Sequence, residues 1–349
     1  MAVAAPIPLP MQSPPAVSAQ EGHDIIVMGG SAGAVDAMQE IVAAFPPDLP
    51  AAVFIVVHTA AGLDSALPEL LARRTRLKVA HAIHGEPIVA GRINVAPPDN
   101  HLLVRPGYVA VQRGPKENGA RPAVDPLFRS ASIAYGPRVI AVVVSGHLDC
   151  GTAGLVSVKA RGGVAIVQRP EEAVAPEMPQ SAIEHVSIDH ILPLTEIGAM
   201  VVRLTREPPG PVIAPPPRAL LEIEGDEPGL RSDVVCPICQ GALTEGQLTG
   251  VTTFRCHVGH AFSPGALVAE QAESLERALW AAMRALEESA SMAKRMSSST
   301  HVGSRFAEKA RTQMNQAELV RRMLTGGGTL STGDGEDTAR GSEVPAVDK

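Results

Sequence analysis

The chain has 349 residues, of which 45% are hydrophobic and 19% charged, and its formal net charge is −7. This length predicts about two domains with tails, and the acidic balance excludes a general nucleic-acid binder, whose surface would be basic. An aromatic content of 3% also leaves few side chains for stacking on bases. No apolar run is long enough to span a bilayer, so we expect no membrane insertion.

The N-terminal segment and the cysteine content bear on location. Residues 1–22 are apolar but rich in proline, and no lysine or arginine precedes the apolar part. A secretory signal needs a charged start and an unbroken apolar centre, so we expect a disordered arm here. Four cysteines in so long a chain do not indicate a disulfide scaffold, which favours a cytoplasmic protein.

From residue 23 to residue 206, short apolar runs alternate with helical stretches. This alternation predicts an α/β fold with a doubly wound parallel sheet. The candidate strands are Asp24–Met28, Val53–Val57, Lys78–His81, Arg92–Val95, Val139–Ser145, Val164–Gln168 and His190–Leu192. The candidate helices are Ala32–Phe45, Leu63–Arg74, Pro126–Tyr135, Thr152–Arg161, Pro179–His185 and Leu194–Leu204. The runs His101–Val104 and Tyr108–Gln112 flank a Pro-Gly pair and predict an inserted hairpin.

The sequence changes character after residue 206. A proline-rich linker over 207–229 precedes a small cysteine-containing module over 230–262. Ser263 and Pro264 are typical of a helix N-cap and first turn, and they begin a predicted helical hairpin over 263–325. The polar, glycine-rich tail over 326–349 is expected to be disordered.

The two helices of the hairpin are expected to bury a shared apolar seam, with a partner-binding helix as the alternative. The predicted seam consists of Val268, Ala272, Leu275, Leu279, Ala282 and Leu286 on the first helix and Phe306, Ala310, Met314, Ala317, Val320 and Leu324 on the second.

The first functional signal is the stretch that follows the first strand, Gly29-Gly30-Ser31-Ala32-Gly33. Its glycine spacing matches a nucleophile elbow. Ser31 would lie at a strand-to-helix corner, where main-chain N–H groups converge and can hold an oxyanion. The alternative is a tight turn whose glycines only let the helix pack onto the sheet or bind a phosphate. The phosphate interpretation is disfavoured because the dinucleotide-binding fingerprint has a different glycine spacing.

Two later strand ends supply partners for this serine. His58 directly follows the second strand, and ligands of an open parallel sheet bind at the carboxyl ends of its strands. A histidine within hydrogen-bond reach activates a serine at neutral pH, although many strand-end histidines are structural. The strand Val139–Ser145 delivers Asp149 to the same edge, where an acid can orient the imidazole. The order serine, histidine, acid disfavours a plain α/β-hydrolase.

These motifs carry a resemblance to a known family. Residues 23–206 resemble the methylesterase domain of the chemotaxis protein-glutamate methylesterases, the CheB type. The matching segments occur in the family's order and are Ile26–Gly33, Val56–His58, Gly91–Leu102, Arg121–Ser130 and Ser145–Gly154.

The resemblance implies hydrolysis of glutamate methyl esters on chemoreceptor-like proteins, with release of methanol and without a catalytic cofactor. Ser31 matches the family's nucleophile, and His58 matches its general base. The main-chain N–H groups of Ala32 and His147 match the positions that hold the oxyanion. Methylated chemoreceptor-like proteins are the implied partners.

One position departs from the family. Cys150, not Asp149, matches the aspartate of the triad, and a protonated thiol cannot orient an imidazole as a carboxylate does. Three interpretations follow: Asp149 takes the role after a one-residue shift, Ser31 and His58 work at a reduced rate without an acid, or the domain binds its targets without hydrolysing them. Loss of the orienting acid alone costs on the order of ten-thousand-fold in rate and still leaves catalysis.

The small module carries a metal-binding pattern. Cys236 and Cys239 form a Cys-x-x-Cys pair, and Cys256 is followed by His257 and His260. Two close ligand pairs separated by a hairpin-length spacer are typical of an enclosed zinc ion. His260 is preferred over His257 because the three intervening residues let it fold back. The sequence therefore predicts a structural, zinc-ribbon-like module, with a redox Cys-x-x-Cys or unrelated thiols as the alternatives.

The combined prediction is a stand-alone protein-glutamate methylesterase. Related two-domain esterases carry a receiver domain ahead of the catalytic one, and only residues 1–22 precede it here, so we expect no receiver domain. The zinc module and hairpin are expected to replace it, by binding a signalling protein or covering the active site. The alternative is a catalytically weak adaptor that uses the same fold for protein binding, and a third option is a hydrolase of small esters.

Overall fold

A computed structural model of the chain describes residues 22–59, 65–213, 230–248, 251–298 and 303–325. The chain divides into two units, with the boundary after Leu267. Most of the predicted N-terminal arm over 1–22 lies outside the described residues, and only residue 22 is described. The tail over 326–349 and most of the linker over 207–229 also lie outside them. Among the described residues, no helix is both long and apolar enough to cross a bilayer.

A seven-stranded parallel sheet forms the centre of the first unit. Its strands are β1 (Ile25–Gly30), β2 (Ala52–Val57), β3 (Lys78–His81), β4 (Arg92–Val95), β7 (Val139–Val143), β8 (Val164–Gln168) and β9 (His190–Leu192). Their order across the sheet is β3-β4-β2-β1-β7-β8-β9. The order runs outward in both directions from β1, which confirms the doubly wound arrangement and places a switch point at the carboxyl end of β1. The strands β5 (His101–Arg105) and β6 (Tyr108–Gln112) form the predicted hairpin.

Helices cover both faces of this sheet. In the described residues up to 213 they are α1 (Ala34–Ala43), α2 (Leu67–Ala72), α3 (Val124–Tyr135), α4 (Thr152–Ala160), α5 (Glu177–His185) and α6 (Leu194–Leu204). Phe128 and Leu155 belong to the buried cluster on one face, and Met38 and Val201 belong to the cluster on the other. The central strands are buried along their whole length, as continuous aliphatic runs predict.

The predicted elements differ from the observed ones mainly at their ends. α1 begins at Ala34, two residues later than predicted, because Gly33 takes a left-handed conformation with φ of 75°. α3 begins at Val124, before Pro126, because the first helical turn leaves its N–H groups free and therefore tolerates proline. The predicted helix over 63–74 is shorter, and its first two residues lie outside the described part.

The cysteine module forms a four-stranded antiparallel sheet. Its strands are β10 (Leu230–Val235), β11 (Ala242–Leu248), β12 (Val251–Cys256) and β13 (Ala261–Phe262). A small core contains two of its cysteines together with Leu243, Phe262 and Leu267. The predicted N-cap is present, because the Ser263 hydroxyl accepts a hydrogen bond from the N–H of Ala266 at 3.1 Å.

The second unit contains most of α7 (Pro264–Ser297) and all of α8 (Gly303–Thr325). The two helices contact each other, since the side-chain amide of Gln313 donates to the Ser289 hydroxyl at 2.7 Å. An ion pair joins Arg321 to Glu287. The predicted hairpin is therefore present in the structure.

The predicted seam is wrong at Val268, Leu275, Ala282 and Met314, whose side chains are exposed. α8 has 23 residues against 34 in α7 and contacts the part of α7 around Ser289, so the start of α7 has no partner helix among the described residues of this unit. Met314 follows Phe306 by two successive steps of four residues, and each step overshoots one helical turn of about 3.6 residues, so Met314 lies off the buried face.

We predict that Gly198→Ala destabilises the first unit. A Cβ on Gly198 would lie 2.7 Å from the carbonyl oxygen of Ile41, so α6 would have to move away from α1. We expect a loss of about 1–3 kcal/mol in the free energy of unfolding, measured by urea denaturation. Gly210→Ala is the matched control, because a Cβ there meets nothing within 4 Å. Equal urea midpoints for the two variants would contradict this account of the packing.

Candidate active site

Ser31 leaves the carboxyl end of β1 in the middle of the sheet. Its N–H donates to the carbonyl of Ser145 at 2.9 Å, which ties it to the chain that follows β7. The Ser145 hydroxyl in turn donates to the carbonyl of Ala32 at 2.6 Å. The strand-to-helix turn is thus fixed from the neighbouring strand, and Ser31 itself is half-buried.

His58 occupies the equivalent position after β2. Gly30 pairs with Val57 in the β1–β2 register, and the N–H of His58 donates to the carbonyl of Gly30 at 3.1 Å. The residue that follows each strand is therefore brought to the same edge. Within the described residues no hydrogen bond joins the Ser31 hydroxyl to His58. Catalytic hydrogen bonds are often long without substrate, so this does not disqualify the pair.

The imidazole of His58 is a weak base in this structure. Its Nε2 is shielded from solvent and has no hydrogen-bond partner in the described part of the chain, which lacks residues 60–64. Burial lowers the pKa of His58 to about 4. The ring is therefore neutral at physiological pH and can accept a proton, but with a small driving force.

Cys150 lies in the buried cluster that also contains Phe54 and Val56 of β2. Its Sγ accepts a hydrogen bond from the N–H of Val124 at 3.3 Å. Burial, reinforced by the charge of Asp125, raises the pKa of the Cys150 thiol well above its ordinary value. The thiol is protonated at neutral pH and supplies no negative charge to an imidazole.

The side chain of Asp149 faces the cysteine module. Its carboxylate accepts a hydrogen bond from the Ser263 hydroxyl at 2.5 Å, and burial raises the pKa of Asp149. Neither Asp149 nor Cys150 bonds to His58 among the described residues. The assignment of an orienting acid therefore stays a prediction.

The loop 146–151 passes directly against Ser31. A Cβ on Gly146 would lie 2.9 Å from the Cβ of Ser31, so only glycine permits this approach. Within the described residues the main-chain N–H groups of Ala32 and His147 donate no hydrogen bond. Free N–H groups beside a nucleophile are what an oxyanion hole requires, although their role here stays a prediction.

Asp125 and Glu177 have clear structural roles that the sequence does not indicate. Asp125 lies in the first turn of α3 but accepts hydrogen bonds from the N–H groups of Gly151 and Gly154, at 2.9 and 2.7 Å, and so caps α4. Burial raises the pKa of Asp125 to about 6. Glu177 accepts from the N–H of Leu148 at 2.6 Å. An acidic residue in a first turn ordinarily interacts with its own helix, so nothing local in the sequence indicates that Asp125 caps α4.

The cysteine module brings its predicted ligands together. Cys236, Cys239, Cys256 and His260 each offer one donor atom, and these atoms lie within 4.8 Å of one another. The Sγ of Cys256 is 3.5 Å from Nδ1 of His260 and 3.6 Å from the Sγ of Cys239. A tetrahedral zinc with bonds of about 2.3 Å to sulfur and about 2.0–2.1 Å to nitrogen separates its donors by roughly 3.5–3.8 Å. The donors fit a closed metal site, and His260, not His257, lies in this cluster.

Comparison with known proteins identifies the family. Residues 26–201 match the family model described as CheB methylesterase. The chain therefore belongs to the CheB methylesterase family, as the sequence motifs implied.

Individual relatives agree with this assignment. The protein-glutamate methylesterase/protein-glutamine glutaminase 2 of Anaeromyxobacter dehalogenans is 35% identical over 52% of this chain and 54% of its own length. A protein of Leptospira interrogans named "putative protein-glutamate methylesterase/protein-glutamine glutaminase" is 36% identical over 52% of this chain and 95% of its own length. The chain thus spans about half the length of the first relative and nearly all of the second.

A solved structure supports the fold. The crystal structure of the Thermotoga maritima CheB methylesterase catalytic domain matches with a TM-score of 0.50 and 32% identity, over 52% of this chain and 98% of that one.

We predict that the pKa of His58 responds to the charge at position 150. In Cys150→Asp a carboxylate would favour the imidazolium, so the pKa of His58 should rise from about 4 towards its ordinary value. Cys150→Ser, which adds no charge, should leave the value near 4. The measurement is NMR titration of the histidine ring protons. A wild-type midpoint at the ordinary value, or the same midpoint in both variants, would contradict the prediction.

Proposed function

We propose that residues 23–206 hydrolyse glutamate methyl esters on proteins, with Ser31 as nucleophile and His58 as general base. The observation that carries this proposal is the register of β1 and β2, in which Gly30 pairs with Val57 and the N–H of His58 bonds the carbonyl of Gly30. The family to which the chain belongs supports the choice of ester.

The chemistry assigns one step to each group. The Ser31 hydroxyl attacks the ester carbonyl and gives its proton to the neutral imidazole of His58. The N–H groups of Ala32 and His147 hold the negative oxygen of the tetrahedral intermediate. His58 returns the proton to the departing methoxide, which leaves as methanol. Water, deprotonated by the same imidazole, then releases the glutamate and restores Ser31.

The environment of His58 favours a second candidate as well. A low pKa and the absence of a bonded carboxylate within the described residues predict slow turnover. A catalytically weak adaptor that binds the same targets through this fold is therefore the alternative. The two are separated by whether methanol is released.

The proposed targets are methylated chemoreceptor-like proteins. The relatives' names also carry protein-glutamine glutaminase activity, in which the same acyl-transfer steps would release ammonia. We propose a cytoplasmic location, which fits such targets. The C-terminal module and hairpin are proposed to bind a signalling protein.

We further infer that Cys236, Cys239, Cys256 and His260 hold a structural zinc ion. Four protein ligands leave no open position for a substrate, so the ion would stabilise the fold and take no part in hydrolysis. Cys236 and Cys256 belong to the small core with Phe262, so metal loss would disrupt the packing of the module.

We predict that methanol release from a methylated chemoreceptor fragment depends on Ser31. Ser31→Ala removes the attacking oxygen and should lower the rate by about a thousandfold or more. Ser291→Ala, an exposed serine on α7, should leave the rate unchanged. Release that persists in Ser31→Ala would contradict the assignment, and no release from the wild type with binding intact would favour the adaptor.

We predict that the two histidines of the module differ in metal retention. His260→Ala removes a donor and should lose bound zinc, whereas His257→Ala, outside the cluster, should retain it. Native mass spectrometry of the full chain measures the bound ion. Equal zinc content in the two variants would refute this ligand set.

A further inference from the structure

The cysteine module contacts residues 115–118 of the α/β domain, a segment that follows the β5–β6 hairpin. The N–H of Asn118 donates to the carbonyl of Ala261 at 2.8 Å, and Ala261 forms a parallel bridge with Glu117. The imidazole of His101 also contacts this segment, because its Nε2 lies 2.8 Å from the carbonyl oxygen of Pro115. The module therefore rests on a segment that the first domain itself holds in place.

A closed ring of hydrogen bonds joins Ser263, the residue that directly follows the module, to the loop 146–151. The Ser263 hydroxyl donates to Asp149 at 2.5 Å, and the N–H of Ser263 donates to the side-chain oxygen of Asn118 at 2.9 Å. The amide nitrogen of Asn118 donates to Asp125 at 2.9 Å. The other oxygen of Asp125 accepts from the N–H of Gly151 at 2.9 Å, which closes the ring through the main chain.

The loop that this ring holds is the one that passes Ser31 and carries the N–H of His147. Two of its residues have positive φ angles, 61° at Leu148 and 103° at Gly151. A non-glycine residue in this region is strained and persists only where its surroundings fix it. On one side the loop is fixed by Glu177, and on the other by the ring.

The ring contains a buried carboxylate, Asp125, and a half-buried one, Asp149. A carboxylate removed from water needs hydrogen-bond donors to remain charged. Ser263 supplies such a donor to Asp149, and Asn118 supplies one to Asp125. Cys150 directly follows Asp149 in the chain, and its side chain is buried.

We propose that Ser263 and Asn118 are positioning residues of the esterase site, through which the cysteine module fixes the loop 146–151. This inference rests on the proposed function for its kinetic consequence but not for its structural one. If the ring opens, the N–H of His147 moves away from Ser31 and the thiol of Cys150 becomes accessible.

The structural consequence is tested by alkylation of Cys150 with iodoacetamide in the full, zinc-loaded chain, followed by peptide mass spectrometry. Ser263→Asp keeps a side-chain oxygen that can cap α7 but places it against the carboxylate of Asp149. We expect alkylation about tenfold faster or more in Ser263→Asp and in Asn118→Ala. Ser263→Thr keeps the hydroxyl and should behave as the wild type.

Zinc content is measured in every variant, so that loss of the module is distinguished from opening of the ring. Faster alkylation in Asn118→Ala with zinc retained supports the proposal, even if Ser263→Asp does not fold. Alkylation at the wild-type rate in both variants with zinc retained overturns it.

The kinetic consequence is tested by methanol release from the methylated fragment. We expect Ser263→Asp to lower kcat by about tenfold or more with little change in KM, because the loop contacts the transition state more than the substrate. Ser263→Thr keeps the hydroxyl and should have the kcat of the wild type. An unchanged or raised kcat in Ser263→Asp would overturn the positioning role. If the wild type releases no methanol, the proposed function fails, and the alkylation rates still decide the structural claim.

Discussion

The parallel pairing of β1 with β2 is the constraint on which the candidate site depends. Gly30 lies opposite Val57, and the carbonyl of Gly30 receives the N–H of His58 at 3.1 Å. Side chains alternate between the two faces of a sheet, so a slip of one residue would turn His58 away from Ser31. Both faces of these strands are buried, so such a slip would also exchange the side chains that fill the two cores and would disrupt their packing.

Around this pair the structure keeps charge away from His58. Burial makes the imidazole a weak base, the thiol of Cys150 stays protonated, and the carboxylate of Asp149 is bonded to Ser263. Among the described residues, no carboxylate therefore bonds to the imidazole to orient it. The hydrogen bond that holds Asp149 comes from Ser263, the residue that directly follows the cysteine module.

The fold follows from local patterns in the sequence. β1 and β2 are predictable because short runs of β-branched aliphatic residues are typical of buried strands. The place of His260 in the cysteine cluster is predictable from the spacing of zinc ligands. The bond between Ser263 and Asp149 joins residues 114 positions apart, and nothing local indicates it. The sequence indicates Ser263 only as a helix cap, because capping is a local property and the second hydrogen bond is not.

We infer that this register produces an activated serine at the carboxyl edge of the sheet. Treatment of the full chain with a fluorophosphonate, followed by peptide mass spectrometry to locate the adduct, tests this inference. An attack by the Ser31 hydroxyl expels fluoride and leaves a phosphonyl group on that residue, and the reaction needs a base to take the proton. We expect an adduct on Ser31 that disappears in His58→Ala. An unlabelled Ser31, or labelling that persists without the imidazole, would contradict it.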